Sequence, residues 1–209
     1  MIAVKNPLIR DILEQLTAYT LTDPFQWLRN TGLRFSIRQL DLMQDLPVIY
    51  QWVNQEYALP FWGMNGSYAM LFETYQSIRL TSFSESLTGW LGHQIICQID
   101  IYDPAYDSIH SCYEHALGDL GFHLLMAPGQ RPVQNSTAKI VWFFLQLVFQ
   151  SRLVDRIIGE PDARNDKAQQ MLRQLHFEFY ETLALPHKEA SFYTLTRERY
   201  ISQTLFARL

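Results

Sequence analysis

Gly118-Asp119-Leu120-Gly121-Phe122-His123-Leu124-Leu125-Met126-Ala127-Pro128 is the stretch whose reading decides the fold. It reads as a short buried strand that stops at Pro128, runs into a polar loop and is followed by a helix from about Ser136. Alternate residues of a strand share a face. Asp119, His123 and Leu125 therefore lie on one side and Leu120, Phe122, Leu124 and Met126 on the other. A histidine at the centre of such a strand, shortly before a loop that opens a helix, is placed for chemistry on an anionic ligand. Taken alone, His123 also fits a hydrogen-bonded core residue.

Downstream, Ala138 to Phe149 is apolar around most of its circumference, as a largely buried helix would be. Arg156 to Glu160 reads as a short strand ending in Pro161-Asp162, and Asn165 or Asp166 opens a helix that buries Ala168, Met171, Leu172 and Leu175. Phe177 to Leu183 and Ser191 to Arg199 read as closing strands around Pro186-His187-Lys188-Glu189. Upstream, Ser86 to Leu91 and Ile95 to Tyr102 form two strands joined at Gly92-His93. In the second, Gln98, Asp100 and Tyr102 oppose Ile95, Cys97, Ile99 and Ile101. Before these come a helix started by Asn6-Pro7, a strand from Leu33 to Leu40, a helix capped by Asp45, an aromatic loop from Tyr57 to Gly66 and a helix through Tyr68, Leu71, Phe72, Tyr75 and Ile78. This order predicts an α/β fold: a mixed central sheet with helices on both faces, in one domain over 1–209, with 1–30 as an N-terminal helical extension.

Composition narrows the function classes. With 209 residues, 48% of them hydrophobic, the chain is long enough for a proper core. A formal net charge of −4 argues against a general nucleic-acid binder. The most apolar run, Ile140 to Phe149, falls well short of the roughly 20 residues a bilayer crossing needs, and the first residues lack the apolar core of a signal peptide. Cys97 and Cys112 have no metal-type spacing, and the group Asp107, His110, Cys112 and His115 matches no standard ligand pattern, so no metal is expected. The expectation is a reduced, cytoplasmic protein without a nucleic-acid or membrane partner. Phosphate loops of the G-x-x-x-x-G-K-[ST] and G-x-G-x-x-G types are absent, as are H-E-x-x-H and G-x-S-x-G.

Two strand ends, at Ala127-Pro128 and at Pro161-Asp162, are each followed by a helix. They are expected to be parallel neighbours whose C-terminal ends form a ligand crevice. Asp162 by itself also reads as the cap of the following helix. This strand–loop–helix core resembles that of the GNAT acyltransferases. The runs Cys97-Gln98-Ile99-Asp100-Ile101-Tyr102-Asp103-Pro104-Ala105, Gly118 to His123, Gly159-Glu160-Pro161-Asp162-Ala163-Arg164-Asn165 and Leu185 to Ala190 resemble the siderophore-biosynthetic branch of that family. That branch acylates the hydroxylamine of an N-hydroxylated diamine or lysine, giving a hydroxamate. The similarity covers roughly residues 30 to 200, and the chain resembles the single-domain alcaligin and desferrioxamine enzymes more than the aerobactin type.

The resemblance implies an acyl-CoA N-acyltransferase with acetyl-CoA or succinyl-CoA as donor, a small hydroxylamine as acceptor, and other siderophore-pathway enzymes as partners. It maps the catalytic histidine onto His123 and a paired acid onto Asp162. The loop from Gly129 to Asn135 departs from the family's Q/R-x-x-G-x-G/A signature, and prolines there remove amide donors. Arg131, Asn135, Ser136 and Lys139 are the compensating candidates for coenzyme A. Arg164 and Lys167, at the next helix start, read either as phosphate ligands or as surface charge. The ammonium of a diamine needs a carboxylate or aromatic partner. Trp62, Asp100, Asp103 and Asp107 are the candidates, with turn formation an equal reading for the aspartates. Two other functions stay open: acetylation of ordinary amines, as in the aminoglycoside-modifying group, and a non-catalytic GNAT-like module that binds acyl-CoA.

Overall fold

The strand expected around His123 forms at Asp119–Met126, and the sheet is built outward from it. The computed structural model describes residues 4–18, 34–129 and 136–206. In chain order these make α1 (Pro7–Ala18), β1 (Phe35–Gln39), α2 (Leu46–Val53), α3 (Tyr68–Leu80), β2 (Ser84–Leu91), β3 (Gln94–Tyr102), β4 (Asp119–Met126), α4 (Ser136–Val148), β5 (Arg156–Gly159), α5 (Asp166–Gln174), β6 (Glu178–Leu185), β7 (Lys188–Thr196) and α6 (Arg197–Phe206). They form one seven-stranded sheet in the order β1-β2-β3-β4-β5-β7-β6. All neighbours are antiparallel except β4 and β5, which run parallel.

The two faces of β4 bury what the alternation assigns to them. Leu120 and Phe122 join Leu87, Cys97, Ile99, Ile101, Ile157 and Tyr193 under α1 and α4. Phe143, Phe144 and Leu145 of α4 are fully buried there, which accounts for its all-round apolar sequence. On the other face Leu125 meets Leu46, Ile49 and Trp52 of α2 and Leu71 and Tyr75 of α3. A third cluster, Tyr102, Ile109, Ile158, Leu183 and Phe192, fills the β6–β7 end of that face. Among the described residues no helix is long and apolar enough to cross a membrane.

The parallel pairing is short. Asp119, Leu120 and Gly121 pair with Arg156, Ile157 and Ile158, and then the strands part, while β4 stays paired with β3 as far as Met126. Backbone polar groups point to alternate sides along a strand. Gly118 O accepts from Asp155 N and Arg156 N on the β5 side, and Ala127 N donates to Ile96 O on the β3 side. Past the last pair, Gly121 with Ile158, the backbone groups of Leu124 and Met126 therefore face the gap with no strand opposite them.

Two local expectations change, and a third falls on a residue outside those described. Ser191 to Arg199 is not strand throughout: β7 ends at Thr196, whose hydroxyl accepts from Arg199 N and starts α6. Asp45 precedes α2 but makes no side-chain cap bond. Its carboxylate holds Arg38 at 2.7 and 2.8 Å and Asp41 N at 2.8 Å instead. Leu33, expected in β1, lies outside the described residues. Asn6, by contrast, caps α1 as read, accepting from Ile9 N at 2.9 Å.

Candidate active site

Where β4 and β5 part, a pair of side chains bridges them. Continuing the parallel register from Asp119↔Arg156 brings His123 level with Glu160, just past the end of β5. His123 Nε2 and Glu160 Oε1 are 2.5 Å apart. Glu160 is buried, whereas the imidazole side chain is 42% exposed and open to the gap. A carboxylate only accepts hydrogen bonds, so Nε2 carries the proton in this contact and Nδ1 of the neutral ring keeps its lone pair. The Tyr102 ring lies beside the imidazole, with centroids 5.0 Å apart. It can do so because residue 121 is glycine: a Cβ there would fall inside the Tyr102 ring.

Lys188 steadies Glu160 from the β7 side, donating to its backbone oxygen at 2.7 Å with its nitrogen 3.9 Å from Oε1. Glu160 Oε2 and Tyr102 Oη are both buried without a formed hydrogen bond, yet each acts on the other electrostatically. Burial alone would lower the imidazole pKa. The charge and hydrogen bond of Glu160, backed by the charge of Asp100, outweigh it and raise the pKa above its ordinary value. Burial pushes Glu160 upward, but the charge and hydrogen bond of His123, with Lys188 and Tyr102, bring it below the usual carboxylate range.

Beside this pair, Asp100 of β3 stands directly opposite His123. Its Oδ1 accepts from Ser86 Oγ at 2.5 Å and from Gln98 Nε2 at 2.6 Å. Burial raises its pKa to about 6 against the pull of Ser86, His123 and Gln98. Trp62, on the loop between α2 and α3, reaches the same neighbourhood: its indole stands near the Tyr75 hydroxyl, which also feels the charge of Asp100.

The remaining expected residues fall elsewhere. The expected contact between Asp162 and the imidazole is not formed. Both Asp162 oxygens are taken by Arg164, through Nε at 2.8 Å and Nη2 at 2.7 Å, and Oδ1 also accepts from Arg164 N. Asp162 is drawn toward β7, where it bridges to Ala190. The Arg164 pairing, chiefly through its hydrogen bonds, lowers the Asp162 pKa to about 2. Asp103 and Asp107 start the turns Pro104–Tyr106 and Ser108–Ser111, accepting from Ala105 N and Ile109 N, and Asp103 also holds Asn6 at 2.8 Å. Arg131 and Asn135 lie outside the described residues, and Ser136 is the first residue of α4. Lys139 sits half-buried on α4, where it has interactions of its own. Arg164 and Lys167 are exposed at the N-terminal end of α5, whose cap is Asn165.

Glu160 was not among the residues singled out from the sequence. The signal lay in the register: four residues past Asp119 is His123, and four past its partner Arg156 is Glu160. That count needs the pairing itself, which no local pattern supplies.

The donor side fits a pantetheine thioester. The open backbone groups of Leu124 and the N–H of Met126 can meet the amides of an extended chain, and the N-terminus of α4 follows where an anionic group would lie. A sheet parted between two parallel strands, each followed by a helix, with a basic side chain at the parting, is the arrangement of an acyl-CoA N-acyltransferase. The acetyltransferase (GNAT) domain family matches residues 41–185, and the chain belongs to that family. It is 22% identical over 170 residues to the N-hydroxyputrescine acetyltransferase of Acinetobacter baumannii, covering 81% of each chain. Its fold is similar to aminoglycoside acetyltransferase AAC(6')-Ib in complex with coenzyme A, with a TM-score of 0.74 and 21% identity over 82% of this chain and 99% of that one. It is also similar to spermidine N-acetyltransferase from Vibrio cholerae in complex with CoA and spermine, with a TM-score of 0.63 and 14% identity over 80% of this chain and 98% of that one.

Proposed function

We propose that this acyltransferase acylates the hydroxylamine nitrogen of an N-hydroxylated diamine or N6-hydroxylysine, forming a hydroxamate of the kind used in siderophore biosynthesis. The observation that carries the reading is the half-open imidazole of His123, held by buried Glu160 at the parting of β4 and β5. A hydroxylamine is a weaker base than an alkylamine, so much of it is already neutral near pH 7. A histidine is matched to taking its remaining proton during attack on a thioester. His123 Nδ1 takes that proton as the C–N bond forms, and Glu160 holds the ring and its developing charge through Nε2. The electron pair of the breaking C–S bond leaves with the thiolate, and no acyl-enzyme is needed.

In this assignment Glu160 is the acid that serves the imidazole, and Asp162 with Arg164 shapes the strand end beside it. The donor is read as acetyl-CoA in preference to succinyl-CoA. The name of the A. baumannii relative supports this, as does the position of Lys188: it is already engaged with Glu160, where a succinyl tail would want a free cation.

Thiol release with acetyl- and succinyl-CoA, run against N-hydroxyputrescine, N-hydroxycadaverine, N6-hydroxylysine and plain amines, tests the reading, with ferric hydroxamate colour as the product signal. Colour with a hydroxylamine is expected. Thiol release with plain amines alone would make the protein an ordinary amine acetyltransferase, and ligand binding without turnover would make it a non-catalytic binder. His123→Ala is expected to lower kcat by about 10²–10⁴-fold, the usual contribution of a positioned base.

A further inference from the structure

Several buried polar atoms next to the reacting pair have no partner. Gln98 and Asp100 sit two residues apart on β3 and point to the same face as His123. Gln98 is fully buried and spends its amide nitrogen on Asp100 Oδ1, which leaves Gln98 Oε1 without a hydrogen bond. Asp100 Oδ1 is saturated by Ser86 and Gln98, and among the described residues nothing donates to Oδ2. The Tyr75 hydroxyl, on α3 above this face, is buried, forms no hydrogen bond within this group other than the approach of Trp62, and lies within electrostatic reach of Asp100. Trp62 closes the group from the α2–α3 loop, its indole N–H turned to the Tyr75 hydroxyl without a fully formed hydrogen bond. Buried polar groups in native proteins are nearly always hydrogen-bonded, so such a set marks a place prepared for something else.

The chemistry of that occupant follows from the inventory. Asp100 Oδ2 and Gln98 Oε1 are acceptors, and Tyr75 Oη can accept as well. A primary ammonium offers three N–H donors and a positive charge, which matches three acceptors of which one is a carboxylate. The side chains that act most strongly on Asp100 are Ser86, His123, Gln98 and Glu85, none of them a lysine or arginine. Lys188, the cation nearest in effect to the pair, is committed to Glu160. An acceptor carrying a carboxylate next to its ammonium would set that carboxylate against Asp100, with no lysine or arginine among its strongest described neighbours to balance it.

We propose that Asp100, Gln98 and Tyr75, closed by Trp62, form a subsite for the far-end ammonium of a diamine acceptor, which makes a simple N-hydroxy diamine the substrate in preference to N6-hydroxylysine. This rests on the acceptor reading given above and narrows it.

The test compares N-hydroxyputrescine with N-butylhydroxylamine, which has the same reacting group and spacer but no ammonium. The wild-type kcat/KM is expected to favour the diamine by about 10–100-fold, the range of a charge-assisted hydrogen bond. Asp100→Asn is expected to collapse that ratio toward one, and Tyr75→Phe to reduce it several-fold, in proteins whose thermal unfolding shows them folded. N6-hydroxylysine is expected to fall below N-hydroxyputrescine by at least about tenfold. A folded Asp100→Asn and a folded Tyr75→Phe that both keep the wild-type ratio would overturn the subsite, as would a preference for hydroxylysine. Calorimetric binding of putrescine separates this from the acceptor reading. Binding that Asp100→Asn weakens at least about tenfold, in an enzyme that acylates no hydroxylamine, would keep the subsite and remove the hydroxamate function. Acylation of both hydroxylamines with an unmoved ratio would do the reverse.

Discussion

Glu160 raises the imidazole pKa of His123, and a base is useful only when neutral, so the wild-type acid limb of the pH–rate profile should lie above the ordinary histidine value of about 6.5. Glu160→Gln removes the charge that favours imidazolium. Its acid limb should move to lower pH while its plateau rate falls, because the ring loses its orienting partner. Asp162→Asn should leave the limb in place, since Asp162 faces Arg164. A limb that shifts with Asp162→Asn and not with Glu160→Gln would restore Asp162 as the paired acid. Asp100 works in the opposite sense on stability. Its folded pKa of about 6 is above the unfolded value of about 3.9, so the folded protein binds that proton more tightly. The contribution is fully favourable below pH ~4 and is lost as pH rises toward 6, leaving a costly buried charge at neutral pH. Asn keeps an acceptor for Ser86 and Gln98 without the charge. Asp100→Asn is therefore expected to be more stable than wild type by about 1–3 kcal/mol at pH 8, with the gain gone near pH 4. Denaturant unfolding at the two pH values measures this, and a gain equal at both would refute the electrostatic cause.

At the scale of elements, the loop between α2 and α3 is tied to the strand that carries His123. Tyr57 donates its hydroxyl to Met126 O at 2.7 Å, one of the backbone groups that face the gap beyond β5. The loop folds back on itself through turns at Gln55 and Ala58, and Gly66 N rests on the Asn54 side chain. Trp62 is thus held over the acceptor side by a contact made on the donor side. Tyr57→Phe removes about 1 kcal/mol of tethering. Amide exchange over residues 55–62 is then expected to quicken about fivefold without a change in global stability. Unchanged exchange would mean the loop holds itself. At the other end of the sheet, Arg197 gathers the carbonyls of Phe149, Ser151 and Val154 after the end of α4. A cation there satisfies orphan carbonyls and opposes the helix dipole, which fixes the buried helix that separates β4 from β5.

Across the whole molecule, the N-terminal segment is fastened to the sheet by one buried cation. Lys5 donates to Arg79 O, Thr81 O and Ser84 O at 3.1, 2.9 and 2.7 Å and lies 3.3 Å from Glu85, with both side chains almost fully buried. Asn6 adds bonds to Ser82 O and Asp103. These contacts dock α1 against the layer that covers β4. Lys5→Met leaves the Glu85 charge buried with hydrogen bonds from Gln39 and Ser86 N but no cation beside it and is expected to cost about 3–5 kcal/mol, as for a buried pair cut on one side. Glu85→Gln in the same chain should recover much of that loss. Urea midpoints for the single and double variants check both, and additive losses would show that the two side chains do not act as a pair.

The sequence alone determined whatever depends on near neighbours in the chain. The period-two alternation of Asp119–Met126 assigned both faces of β4 correctly, the all-round apolarity of α4 announced its burial, and Asn6 and Asn165 marked helix starts. Each of these is a local steric or hydrogen-bonding preference. The acid on His123 was not local. Asp162 carried the motif, but Arg164, two residues on, takes its carboxylate, while Glu160 meets the ring only because β4 and β5 pair in one register and then part. The open row at Leu124 and Met126 arises the same way, since a backbone group without a strand opposite is defined by what fails to lie beside it. So does the company of Asp100: Ser86 lies across one strand boundary, His123 across another, and Tyr75 comes from a helix packed on the face. Spacing along the chain specifies which residues share a face; register and packing decided which of them meet.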